Sequence, residues 1–250
     1  MKRGKNSLTQ PSMRPPTAIE PDGDDRWAGH DWPIDVHRAV DHQAALEASR
    51  ALGNYFARMY PEAGLMIDAL DVVATLTEAD VRFVLIGAHG IGGWMQQARA
   101  TRDVAVVVRK THHKKAIKAL SQRFPDLPID EQIVVTRFLD PASREPVIDV
   151  LRPVGLYERV FENSVKAASG HQVPNVEMAI ASKFNAMASR NREEEKQHLD
   201  ASDFIQMVKR NQPRLDRDRL HMLGETIYQG GGRDLLAMVD DVLAGRRLRI

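Results

Sequence analysis

The stretch ARATRDVAVVVRK, residues 98–110, decides how this chain is read. Its run of valines reads as a buried strand over 103–108, with Asp103 standing at the opening. Side chains at i and i+2 point to the same side of a strand, so an acid at 105 would set a second carboxylate beside the first. Position 105 carries Ala105 instead.

Working outward, the strand has neighbours that suit the same chemistry. VRFVLIG (81–87) is a short apolar strand ending in Gly87, and PVIDVL (146–151) holds Asp149 within an apolar run. Glycine after a strand lets backbone N–H groups approach phosphates closely. A D-x-D pair joined by a third carboxylate from a neighbouring strand makes a hard oxygen site for two Mg²⁺ ions roughly 3.5–4 Å apart. Gly87, Asp103 and Asp149 supply three of the four parts, and Ala105 stands where the fourth belongs.

FVLIGAHGIGGWMQQARATRDVAVVV resembles the core of the minimal nucleotidyltransferase superfamily, in its AbiEii-like toxin branch. The matching residues are Gly87, Ala88, Arg99, Thr101 and Asp103, with Asp149 on the third acid and Ala105 replacing the second. Downstream, VPNVEMAIASKFNAMASR resembles the family helix through Lys183 and Arg190, and Asp200 and Asp203 echo a later D-x-x-D. The likeness spans about residues 62 to 210. It implies transfer of a nucleoside monophosphate from an NTP to a hydroxyl on RNA or protein, by a toxin or defence component paired with an antitoxin-type partner. Asp103 and Asp149 would hold Mg²⁺ or Mn²⁺, and Asp149 would also activate the nucleophile. Gly87 and Ala88 would face the phosphates, with Arg99 and Thr101 in the same motif, and Lys183 would neutralise charge. The alternative set by Ala105 is a catalytically degraded fold, a pseudoenzyme that binds nucleotide or protein.

Each residue also has a plainer reading. Asp149 in an apolar strand requires a partner if not a metal, and Arg137 or Arg152 would serve. Lys183 lies on an amphipathic helix, where a lysine commonly snorkels to solvent. Asp140 and Glu145 lie near the Asp149 strand and would replace the missing acid only if their loop folds back. HGIGG does not meet the G-x-G-x-x-G dinucleotide fingerprint. Adjacent histidines in THHKK cannot face one metal from a helix.

Bulk composition sets the outer bounds. The 250 residues are 43% apolar, with 35 Lys and Arg against 34 acids and a net charge of +1. That balance does not support a strongly basic nucleic-acid binder. The sequence has no cysteine, which excludes disulfides, thiolate zinc sites and cysteine nucleophiles. MKRGKNSLTQPSMRPP leads into no apolar h-region, and no stretch reaches the ~20 apolar residues a membrane helix needs. The expectation is a soluble, cytoplasmic protein.

The periodicity predicts an α+β fold, a small mixed β-sheet flanked by helices with a helical C-terminal half, and the resemblance implies that the sheet is nucleotidyltransferase-like. Residues 1–33 read as a disordered arm, 34–60 as an N-terminal helix, 61–170 as the core and 171–250 as the helical region. About four strands are expected, over 81–87, 103–108, 132–139 and 146–151. A second helix is expected from Pro61, and Thr111 is the expected N-cap of the helix after the valine strand. GGG at 230–232 is expected to separate the last two helices.

Overall fold

The computed structural model describes residues 41–60, 62, 64–96, 98 and 101–248. The expected arm over 1–33 and Arg99 lie outside the described residues. The strands are β1 (Phe83–Ile86), β2 (Val104–Val108), β3 (Ile129–Glu131), β4 (Val135–Leu139), β5 (Pro146–Leu151), β6 (Ser164–Lys166) and β7 (Gln172–Pro174). They form one sheet in the order β3-β4-β5-β2-β1-β7-β6. It is mixed: β2 runs antiparallel to β1 and parallel to β5, while β7 joins β1 in parallel.

The helices are α1 (His42–Met59), α2 (Ala69–Glu78), α3 (Gly87–Met95), α4 (His113–Arg123), α5 (Val176–Ala188), α6 (Glu194–Asn211), α7 (Arg217–Glu225) and α8 (Gly231–Leu243). Alternation along the strands divides the core in two. Phe83, Leu85, Val104, Val106, Ile148 and Val150 face α2 and α4, where Val72, Leu76, Ala116 and Leu120 are fully buried. Val84, Ile86, Val107 and Leu151 face the other way, onto Met178, Ile180, Phe184 and Phe204 of α5 and α6. Both faces are covered, so β1 and β2 are apolar throughout, as a central strand must be. The architecture is the expected one: α+β, with a mixed sheet flanked by helices and a helical C-terminal half. Among the described residues, no helix is long and apolar enough to cross a membrane.

Several boundaries differ from the sequence expectations. Three strands of three residues each, β3, β6 and β7, join the four expected, and β7 falls beyond residue 170. The strand expected over 132–139 begins at Val135. The second helix starts at Ala69, where Asp68 caps the Leu70 N–H after Gly64 turns the preceding chain at φ +87°; Pro61, the expected start, lies outside the described residues. The Leu65 N–H there donates to Asp140 at 2.8 Å instead of entering a helix. Thr111 is no N-cap: it lies in a 3₁₀ turn over Lys110–His112, and α4 begins after it without a side-chain cap.

The triple glycine does more than separate helices. Gly231 and Gly232 are the first two residues of α8. A Cβ on Gly232 would lie 2.4 Å from the His221 carbonyl oxygen, and one on Gly224 would lie 2.6 Å from that of Gly231. Side chains here would force α7 and α8 apart.

Candidate functional site

The pairing register brings the candidate residues together. Ile86 on β1 lies opposite Ala105 on β2, Ala105 opposite Asp149 on β5, and Asp149 opposite Arg137 on β4. Residues directly opposite share a sheet face, so Ala105, Asp149 and Arg137 form a row across three strands. Asp103 precedes β2 by one residue and points the same way as Ala105. Gly87 follows β1 at φ +66°, and a Cβ there would sit 3.6 Å from the Ala105 methyl. The row thus meets the first turn of α3.

That turn has no side-chain cap. Ile86 takes the N-cap position of α3 and makes no side-chain cap hydrogen bond. Gly87 and Ala88, both half-buried, begin the helix. N–H groups at a helix start have no intrahelical acceptor and favour an anion.

The two acids are unlike in setting. Asp103 is exposed, and the Thr101 hydroxyl donates to its Oδ1 at 2.6 Å. Asp149 is 23% exposed, with Oδ1 3.5 Å from the Arg137 Nε. That separation is an ion pair rather than a good hydrogen bond. Both atoms are buried without a hydrogen-bond partner. Burial pushes the Asp149 carboxyl up from 3.8 to about 6, against the pull of Arg137 and with the repulsion of Asp103. Of the two plain partners weighed for Asp149, Arg137 takes the place. Arg152 instead reaches Glu131 and the Gln132 carbonyl, each at 2.7 Å.

Among the described residues, neither Asp140 nor Glu145 replaces the carboxylate absent at 105. Asp140 accepts from the N–H groups of Leu65, Ala142 and Ser143, and the hydrogen bond from Leu65 leads in holding its carboxyl below the usual value. Glu145 pairs with Arg102 at 2.7 Å. Among the described residues, no group of three or more His, Cys, Asp or Glu side chains is arranged to hold a metal ion. Among the described residues, the two-metal pair that the sequence resemblance implies therefore lacks the third carboxylate it needs. A bridging carboxylate is missing, and a guanidinium stands beside one of the two that remain.

His89, on the first turn of α3, is buried with both ring nitrogens unpartnered. Burial lowers it to about 4, opposed by the charges of Asp103 and Asp68. It lines a pocket together with Arg50, Asp68 and Thr101.

Lys183 does not reach toward solvent. Its Nζ lies 2.7 Å from Asp200 and 2.7 Å from Asp203, with 12% of the side chain exposed. Arg192 closes the cluster at 2.9 Å from Asp200. Arg190, the arginine of the sequence pattern, is exposed. Tyr157, half-buried alongside, is pushed up to about 12 by desolvation and by the charge of Asp200. The sequence resemblance picked out Lys183 through its helix and Asp200 and Asp203 through the D-x-x-D echo; Arg192 had no such signal.

Sequence-family models give no match to the chain, and no curated protein matches it. Solved structures do resemble it. An antigenic nucleotidyltransferase-like protein from Paracoccidioides brasiliensis aligns over 71% of this chain and 95% of its own at 17% identity, with a TM-score of 0.39. ANT(2")-Ia, solved with adenylyl-2"-tobramycin, aligns over 67% and 94% at 12% identity, with a TM-score of 0.43. The Thermotoga maritima CCA-adding enzyme, complexed with tRNA, aligns over 72% of this chain and 53% of its own at 12% identity, with a TM-score of 0.30.

Proposed function

We propose that this chain is a nucleotidyltransferase-like protein that holds a nucleoside triphosphate at the corner formed by Gly87, Asp103 and Asp149 but lacks the two-metal transfer step. It then acts as a nucleotide- or protein-binding module. One observation carries this reading: Asp149 lies directly opposite Ala105 in the β2–β5 ladder, where two carboxylates would share two cations. A methyl group cannot coordinate Mg²⁺, and neither Asp140 nor Glu145 turns toward the gap. The first turn of α3, which no side chain caps, supports phosphate binding beside it.

A second reading, transfer of a nucleoside monophosphate to a hydroxyl on RNA or protein, is favoured by Asp149 itself. Its carboxyl, raised to about 6, is suited to take a proton from an acceptor hydroxyl near neutral pH. A role as a toxin or defence component, with an antitoxin-type partner to restrain it, belongs to this second reading.

Calorimetric titration with each of the four NTPs, with and without Mg²⁺ or Mn²⁺, separates the two when paired with a radiolabelled-NTP transfer assay. Binding without label transfer supports the binding module. Metal-dependent binding that Asp103→Asn abolishes, together with label transfer to RNA or protein, establishes the enzyme and overturns the module. No binding of any NTP sinks the enzyme and the nucleotide-binding module, and leaves a protein-binding one.

A further inference from the structure

The row across the sheet ends in a cation. Arg137 stands opposite Asp149 on one side as Ala105 does on the other. Its Nε is buried with no hydrogen-bond partner, its ion pair with Asp149 is long at 3.5 Å, and 37% of the side chain remains exposed. The guanidinium is thus held by one long ion pair at Nε, with over a third of the side chain open to solvent.

A polyphosphate that approaches Asp103 and Asp149 meets two carboxylates and needs positive charge there. Two Mg²⁺ ions would supply it in a three-acid site, but among the described residues no three-acid group exists. A guanidinium supplies charge and a planar fork of N–H donors that matches phosphate oxygens. The missing carboxylate at 105 also removes a negative charge that would oppose a bare phosphate.

Resting on the nucleotide-binding reading above, we propose that Arg137 replaces the metal: the site binds the polyphosphate of a nucleotide through this guanidinium, without a divalent cation. Asp149 then acts as the internal counter-ion of Arg137, released when phosphate takes its place. This assignment makes a prediction of opposite sign to a metal site. In a metal site Asp149→Asn removes a ligand and weakens nucleotide binding. With Arg137 as the cation it removes a competitor and tightens binding.

The test is calorimetric titration with ATP and with inorganic tripolyphosphate, in EDTA and again in Mg²⁺. The chain is expected to bind both probes in EDTA, with no gain from Mg²⁺. Arg137→Gln is expected to weaken both by about tenfold or more, the size of one lost hydrogen-bonded charge contact. Arg137→Lys, which keeps the charge and loses the fork, should fall between. It also keeps the test decisive should the glutamine variant fold poorly. Asp149→Asn is expected to tighten both probes. ATP binding that requires Mg²⁺, or that Asp149→Asn weakens, overturns the assignment and leaves the nucleotide reading standing. So does an affinity untouched by Arg137→Gln. Failure of the unaltered chain to bind ATP under either condition overturns the nucleotide reading and this assignment with it.

Discussion

Replacing Asp149 by asparagine should stabilise the folded chain at neutral pH. Folding moves this carboxyl from 3.8 to about 6, chiefly by burial, against Arg137 and with the repulsion of Asp103. The folded state therefore holds the proton more tightly than the unfolded state. Between pH 3.8 and 6 the folded chain binds more protons, so stability falls as pH rises through that window and levels off above it. A shift of roughly two units corresponds to about 3 kcal/mol. Solvent screening of a side chain that is 23% exposed reduces the net effect to about 1–3 kcal/mol. Asparagine keeps the shape and never ionises, so the variant escapes the loss. Urea unfolding of both chains at about pH 7 and about pH 4 measures it. The asparagine chain should lead by the full amount at the higher pH and by well under about 1 kcal/mol at the lower. An asparagine chain that is less stable at neutral pH, or whose advantage ignores pH, refutes the reasoning.

Three further changes test other parts of the structure. Ala105→Asp sets a carboxylate directly opposite Asp149; like charges there should lower the melting temperature, and Mg²⁺ should restore it if the rest of the acidic site survives. No rescue by Mg²⁺ in a thermal melt would show that the site lacks more than one carboxylate. Lys183→Met leaves two nearly buried carboxylates with Arg192 as the remaining cation of the cluster; it should cost about 3–5 kcal/mol in urea unfolding, and a loss below about 1 kcal/mol would contradict the burial argument. Gly232→Ala drives a methyl group to 2.4 Å from the His221 carbonyl oxygen and should cost about 1–3 kcal/mol, read as a lowered melting temperature; an unchanged melt would mean that α7 and α8 separate freely.

The strands that carry the site were legible because each is an apolar run bounded by charge or glycine. Val104–Val108 and Pro146–Leu151 are such runs, and both faces of the sheet are covered there. Three-residue strands such as Gln172–Pro174 show no period, and their pairing comes from parts of the chain far away in sequence. The acids Asp103 and Asp149 could be picked out by their setting. Which arginine would face Asp149 could not, since both Arg137 and Arg152 lie within reach along the chain. The β4–β5 register alone places Arg137 opposite it. Helix starts failed where a tertiary contact intervened. Asp140, reaching back to the Leu65 N–H, keeps the residues before Ala69 out of the helix, a contact no local pattern encodes. For Lys183 the local view suggested a solvated lysine, yet residues on the next helix surround it with charge.

The attachment of β7 to β1 bears on how the chain is made. β1 has β2 on one side, supplied soon after it in sequence, but its other side is covered by Gln172–Pro174, just before the helical half begins. While the ribosome is still delivering the intervening residues, a hydrophobic strand keeps one backbone edge open, which is a template for unwanted pairing with other nascent chains. A gene fragment that stops near residue 170 would leave that edge open permanently. Such a fragment should accumulate as insoluble aggregate even though it carries Asp103, Arg137 and Asp149.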